Sequence, residues 1–176
     1  MKPIDENHLL DIVDQNDIVI GQDTKENKFK KELISRNVVA FIKNSQNKYI
    51  IVKRSSKKKV FPNLFDLAAC GHVLKGESPD KAILREIKEE LGISCKVKLL
   101  EKKFNNRLIN GKRIKYFTSI FLGKSDSKIK LNKELSNYIL MSLDELLNLI
   151  KNKPELFSPF LIDELQEIKY LLKRNE

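Results

Sequence analysis

The chain has 176 residues, 41% of them apolar, and a formal net charge of +10. That size and apolar content fit one compact domain with a real core and exclude a chain that is disordered throughout. No apolar run approaches the roughly 20 residues of a membrane span, and the opening residues Met1 to Leu10 lack an apolar signal core. No membrane partner is expected, and the cytoplasm is the expected compartment.

The excess of positive charge has three readings: a solvated face, a basic rim that draws phosphates to a pocket, or a nucleic-acid platform. The lysines are dispersed, and Lys57-Lys58-Lys59 is the one run of three. The nine Phe and four Tyr fall mostly in strand-like runs rather than among the basic residues, which counts against the third reading. Cys70 and Cys95 are too few for a disulfide framework or a zinc site, and their apolar neighbours predict free buried thiols.

In chain order, Asp11–Asp14 and Ile18–Ile20 predict two short strands around a Gln15-Asn16-Asp17 turn, and Thr24 caps a short basic helix through Leu33. Asn37–Ile42 and Tyr49–Val52, rich in β-branched residues, predict a hairpin across Asn44–Asn47. A basic loop from Lys57 to Leu64 closes on Phe61-Pro62-Asn63, and Asp66–Val73 reads as a strand. Ser78 and Pro79 are a cap and a first helical residue, so a helix runs from there to Leu91 and ends at Gly92.

Strands are expected at Cys95–Phe104 and Lys112–Phe121, joined by an Asn110-Gly111 turn, with a further one at Ile139–Met141. Ser142, with Glu145 in the capping-box position, opens a helix over Leu143–Lys151, and an amphipathic helix covers Pro159–Lys173. This order predicts an α+β fold, a mixed sheet covered by helices, in a single domain 1–176 with residues 1–34 as an N-terminal hairpin and helix extension.

The chemistry concentrates in the helix ending at Gly92. At 3.6 residues per turn Glu86, Glu89 and Glu90 share one face, while Ala82, Ile83, Ile87 and Leu91 make the opposite, sheet-facing side. Like charges at these spacings repel. Arg85 offsets part of this, and a hard divalent cation accounts for three clustered carboxylates better than solvent does. Gly71 and Gly76 allow a tight backbone path before the helix, where a loop carbonyl can add a ligand, and Glu77 is placed to pair with Arg85.

These residues form a pattern: Gly71, five residues, Glu77, seven residues, Arg85-Glu86-Ile87-Lys88-Glu89-Glu90-Leu91-Gly92-Ile93. It resembles the 23-residue signature of the Nudix family with every defined position filled. The resemblance implies an α/β/α sandwich and hydrolysis of a diphosphate bond in a nucleoside diphosphate derivative or related metabolite, with Mg²⁺ or Mn²⁺. It implies Glu86, Glu89 and Glu90 as metal ligands with the Gly71 carbonyl, and Arg85 as the residue that orients a glutamate, paired with Glu77. Glu89 or Glu90 is the expected base or water-orienting group, with Glu134 a downstream candidate. Many members of the family form homodimers.

Isopentenyl diphosphate isomerases share that fold, and Cys70-Gly71-His72 after Phe61-Pro62-Asn63-Leu64-Phe65 resembles their cysteine-histidine segment. Their several metal-binding histidines are not matched, since only His8 and His72 occur, and the intact Arg85–Glu90 motif favours the hydrolase branch that is similar to them. A non-catalytic domain binding a nucleotide or RNA is the remaining alternative, and retention of all three glutamates argues for catalysis. For substrate contacts the candidates are Arg54, Lys57 to Lys59, Phe61, Phe65, His72, Arg107, Lys112, Arg113 and Tyr116, basic groups for phosphates and rings for stacking on a base.

Overall fold

The computed structural model describes residues 8–109 and 111–175. Its organising strand is β3 (Ile34–Lys43), whose second half is buried on both faces. Val38, Ala40 and Ile42 enter one apolar cluster, and Val39 and Phe41 enter another on the opposite face. A strand that is apolar on both sides belongs in the middle of a sheet, between two covering layers.

Along one edge β3 runs parallel to β8 (Lys112–Lys124) from Ile34↔Lys115 to Lys43↔Lys124. Its other partners are β6 (Ala69–His72), β1 (Leu9–Val13) at Ile34, and β4 (Tyr49–Arg54) at Lys43. β4 in turn pairs with β5 (Phe65–Asp66) and β9 (Leu135–Met141), β7 (Val97–Ile109) pairs with β8, and β2 (Val19–Thr24) pairs with β1. Among the described residues these nine strands form one mixed sheet.

α2 (Pro79–Leu91) lies on the Val38 face, where Ala82, Ile83, Ile87 and Leu91 are fully buried. α3 (Leu143–Asn152) and α4 (Pro159–Lys173) cover the other face through Leu143, Leu146, Leu161, Leu165, Ile168 and Leu172. The result is the expected three-layer α/β/α arrangement. Each fully buried large aliphatic side chain contributes about 1.5–3 kcal/mol, so the anchored face of α2 holds it against the sheet.

Several local expectations change. The Asn44 turn forms, with its side-chain oxygen accepting from the Gln46 and Lys48 amides at 3.0 and 2.9 Å. The two arms then part, because β3 pairs with β6 and β8 while β4 pairs with β9. The predicted hairpin is therefore a corner between sheet regions. The strand expected over Asp66–Val73 is interrupted into β5 and β6. α1 (Lys25–Lys30) stops short of Leu33, with Glu32 at φ 51°, outside the helical region. β9 starts at Leu135 rather than Ile139. The Asn110 half of the Asn110-Gly111 turn lies outside the described residues.

The N-terminal segment is built into the sheet. Besides pairing with β3, Leu9 accepts from the Lys75 amide at 2.8 Å, Leu10 bridges to Leu74, and the Asp11 carboxylate accepts from the Gly76 amide at 2.9 Å. β1 thus braces the loop that leads into α2. Among the described residues no helix is long and apolar enough to cross a membrane.

Candidate active site

β6 pairs with β3 along one edge, and its other edge meets the acidic side of α2. There the Cys70 amide donates to Glu90 Oε2 at 3.1 Å, and the His72 carbonyl accepts from Arg85 Nη2 at 3.0 Å. α2 is placed by its ends. Ser78 caps it with Pro79 following, and Gly92 terminates it at φ 68°, the left-handed conformation that glycine tolerates.

Arg85 is the hub. Its Nε and Nη2 form a two-pronged pair with the Glu77 oxygens at 2.9 Å each, and its Nη1 donates to Glu86 Oε1 at 2.7 Å and lies 3.6 Å from Glu89. A planar guanidinium suits this, because it offers several fixed donors at once. Glu77 also accepts from the Leu74 amide at 3.1 Å, tying the loop to the helix. The Arg85–Glu77 pairing expected from the spacing is present.

Gly71 has a steric role. A Cβ built there would lie 1.8 Å from Glu86 Oε1, so the carboxylate occupies the space a side chain would fill. Gly71 itself sits in β6 opposite Val38, with its backbone engaged in the sheet. Among the described residues no three acidic, histidine or cysteine side chains stand converged on one point as a metal cluster. Glu86 and Glu89 lie against Arg85, and Glu90 is held by the Cys70 amide.

Glu86 and Glu90 are charged only at a cost. Burial lifts Glu86 to about 7 against the pull of Arg85, with Glu89 and Glu77 adding to the rise. Burial, then Glu86, pushes Glu90 well above the usual carboxylate range, and Glu134 acts in the same direction. Three acids on one helical face, two of them raised, are the environment a hard divalent cation relieves. The donor set therefore fits such an ion.

The segment after β8 completes the rim. Lys130 and Asn132 amides donate to the carbonyls of Leu91 and Glu90 at 2.8 and 3.1 Å, which carries Glu134 to the end of α2. Glu134 pairs with Lys58, and its carbonyl accepts from the Ser55 amide at 2.8 Å. The structure thus brings Glu134 and the basic loop beside the glutamates.

The other candidates divide. Arg54 turns inward, donating to Asp66 at 2.9 Å and to the Val60 carbonyl at 3.0 Å, so it pins the loop. Lys57 is exposed on that loop. Phe61, at φ 50°, packs edge-on against Phe160 of α4. Phe65 packs on Phe157, and Arg107 is engaged by Asp163 and Glu164 of α4. Lys112 and Arg113 lie at the far end of the β7–β8 ribbon. Arg113 is five residues along β8 from Thr118, which stands level with His72, and is thus displaced by about 16 Å along the strand. These two are not brought to the site.

His72 and Tyr116 point to the α4 side. Burial, then Lys28, Lys25 and Arg85, pushes His72 well below its usual range, which leaves the imidazole neutral. Burial first, then Glu90, raises the Cys70 thiol, and Cys95 is raised by burial; both cysteines are free as expected, and each is half-buried rather than fully buried. Sequence reading missed Asp11, which holds Gly76, and Lys28, which is buried beside His72. Lys28 stands among Lys25, Lys30 and Lys31 with nothing in the pattern to distinguish it.

A sheet layered between α2 and α3–α4, with a glycine-fitted glutamate helix held by an arginine, defines an α/β/α class of fold. Comparison names the family within it: the NUDIX domain family matches residues 33–161. The chain belongs to the Nudix family of hydrolases. An uncharacterised Nudix hydrolase of Nostoc is 41% identical over 86 residues, covering 48% of this chain and 51% of that protein. The match therefore spans about half the length of that relative. Isopentenyl-diphosphate Delta-isomerase 2 of Photorhabdus laumondii is 27% identical over 152 residues, 85% of this chain and 86% of the other. The crystal structure of a Deinococcus radiodurans protein superposes with a TM-score of 0.67 at 27% identity, covering 82% of this chain and 89% of that one. The isomerase-like branch of the family is thus borne out.

Proposed function

We propose that this chain hydrolyses the diphosphate bond of a nucleoside diphosphate derivative or related phosphorylated metabolite. One observation carries the reading: Arg85 gathers Glu77, Glu86 and Glu89 against the glycine-made space at residue 71. Glu86, Glu89 and Glu90 would hold Mg²⁺ or Mn²⁺. Such an ion, when bound, neutralises charge on the diphosphate and lowers the pKa of a coordinated water.

The chain's own groups then have separate tasks. Arg85 fixes the directions of Glu86 and Glu89. Glu90, or Glu89, accepts the proton from the attacking water, with Glu134 a second acceptor within electrostatic reach of Glu90. Lys58 faces the same place and offers charge to a phosphate. Lys57, Phe61 and His72 are the proposed substrate contacts, and Arg54 shapes their loop. Positioning and electrostatics are the main contributions such a reaction needs.

Isomerase chemistry is not favoured, because burial holds the Cys70 thiol well above its usual range and the sequence has two histidines in all, His8 and His72. A panel of nucleoside diphosphate derivatives, dinucleoside polyphosphates and prenyl diphosphates, each with Mg²⁺ and Mn²⁺, tests the reading. A nucleoside monophosphate and the phosphorylated remainder of the substrate are expected from one of the nucleotide classes. Glu89→Gln and Glu90→Gln are expected to lower that turnover by about 10²–10⁴-fold with the fold intact. Wild-type turnover in both variants would refute the mechanism.

A further inference from the structure

On the α4 face of the sheet, one polar patch has unmet hydrogen-bonding capacity. Ser35 Oγ, Asn37 Oδ1, His72 Nε2 and Tyr116 Oη are buried without a hydrogen-bond partner. They are neighbours: Ser35 stands opposite Tyr116 across β3 and β8, and Asn37 opposite His72 across β3 and β6. Ser35 is 0% and Tyr116 4% exposed. Next to them Asn105 and Thr118 satisfy each other at 2.8 Å, so the patch is not simply a region where polar groups go unpaired. Native proteins rarely leave even isolated buried polar atoms unmet, and four on three adjacent strands form a prepared surface.

A cation lies over this patch. Lys28 of α1 is 1% exposed, and its ammonium is 4.6 Å from the Phe29 ring centroid and 5.6 Å from that of Tyr116. Phe29 in turn meets the His72 ring edge-on at 6.3 Å. Among the described residues no carboxylate is paired with Lys28, and burial brings the amine down to about 7. A buried ammonium beside hydroxyl and imidazole donors lacks one thing, a negatively charged acceptor.

We propose that Lys28, Ser35, His72 and Tyr116 form a binding site for a small oxyanion, a phosphate or carboxylate group, on the α4 side of β6. His72 links it to the glutamate site, since its ring meets the Phe29 ring that Lys28 also contacts while its carbonyl accepts from Arg85. The oxyanion is either a second anionic group of the substrate or a free anion. The site stands independently of the hydrolase reading, because its test needs no turnover.

The chain's two histidines make the test direct. Imidazole ¹⁵N spectra of the metal-free protein, assigned with His8→Gln, are recorded during titration with sodium phosphate and, separately, sodium acetate at constant ionic strength. The His72 ring is expected to shift saturably with at least one anion while His8 does not move. Lys28→Met should abolish the shift and keep the fold, since it replaces a buried charge by an apolar chain of similar shape. Tyr116→Phe, which removes only the hydroxyl, should weaken binding several-fold. A His72 ring unmoved by either anion at tens of millimolar, or a Lys28→Met protein that responds like wild type, overturns the proposal. Repeating the phosphate titration on Glu89→Gln saturated with ADP-ribose and Ca²⁺ separates the sources. Loss of the phosphate response assigns the site to the substrate's group, and its persistence assigns it to a free anion.

Discussion

Glu86 is the carboxylate that the proposed cation would relieve most directly. It is 6% exposed, it fills the space beside Gly71, and burial lifts its carboxyl from an ordinary 4.5 to about 7. Between those values the folded, metal-free chain keeps a proton that the unfolded chain has lost. Its contribution to stability is therefore full below about pH 4.5, declines as the pH rises to about 7, and is constant above. At about 1.4 kcal/mol per unit, from 4.5 to about 7, the loss is at most about 3.5 kcal/mol. Glu90, raised first by burial, works in the same direction. In EDTA, the wild-type Tm should fall more steeply across this range than that of Glu86→Gln, and parallel curves would remove Glu86 as the origin. Above pH 7, added Mg²⁺ or Mn²⁺ should raise the wild-type Tm and raise that of the variant less.

At the scale of elements, β1 braces the loop that leads into α2. Asp11 accepts from the Gly76 amide, one residue before Glu77, and Glu77 holds Arg85. Asp11→Ala leaves that amide unmet and should cost about 1–3 kcal/mol in thermal or urea unfolding. It should also lower metal-dependent turnover by loosening Glu77, with Asp11→Asn, which keeps an acceptor, lying between. Unchanged turnover and Tm in Asp11→Ala would show that β1 is not a brace. The helices around this loop were legible from the sequence because their ends are local chemistry: Ser78, Pro79 and Gly92 bound α2, and Ser142 with Glu145 forms a complete capping box on α3. Strand existence was legible for the same local reasons, through β-branched runs and Asn or Asp turns. Strand partners were not. The choice of β8 rather than β4 as the partner of β3 depends on which faces both helical layers cover, and no short stretch encodes that.

At the scale of the molecule, the same division holds for the site. Glu77, Arg85 and the three glutamates lie within one loop and one helix, so a contiguous stretch that resembles the Nudix signature could single them out. Glu134, Lys28, Ser35 and Asp11 reach their places through the sheet, and only Glu134 among them carried a hint. The net charge of +10 belongs to this scale as well. Ion pairs such as Lys102–Asp17, Lys103–Glu164 and Arg107–Asp163 do not reduce it, because their acids are already counted in it. The candidate site's own charges are acidic, and a metal would neutralise those. A polyanionic substrate is then drawn by the rim, including the Lys57–Lys59 loop, and the screening length falls from about 30 Å at 0.01 M salt to about 8 Å at 0.15 M. kcat/KM for the active substrate should therefore fall as NaCl rises, through KM, with kcat nearly constant. Lys57→Ala with Lys59→Ala should flatten that dependence without changing kcat. A KM indifferent to salt would make the charge a solvated face. Tight binding of single-stranded RNA that persists at moderate salt and weakens with these two substitutions would instead make it a nucleic-acid platform.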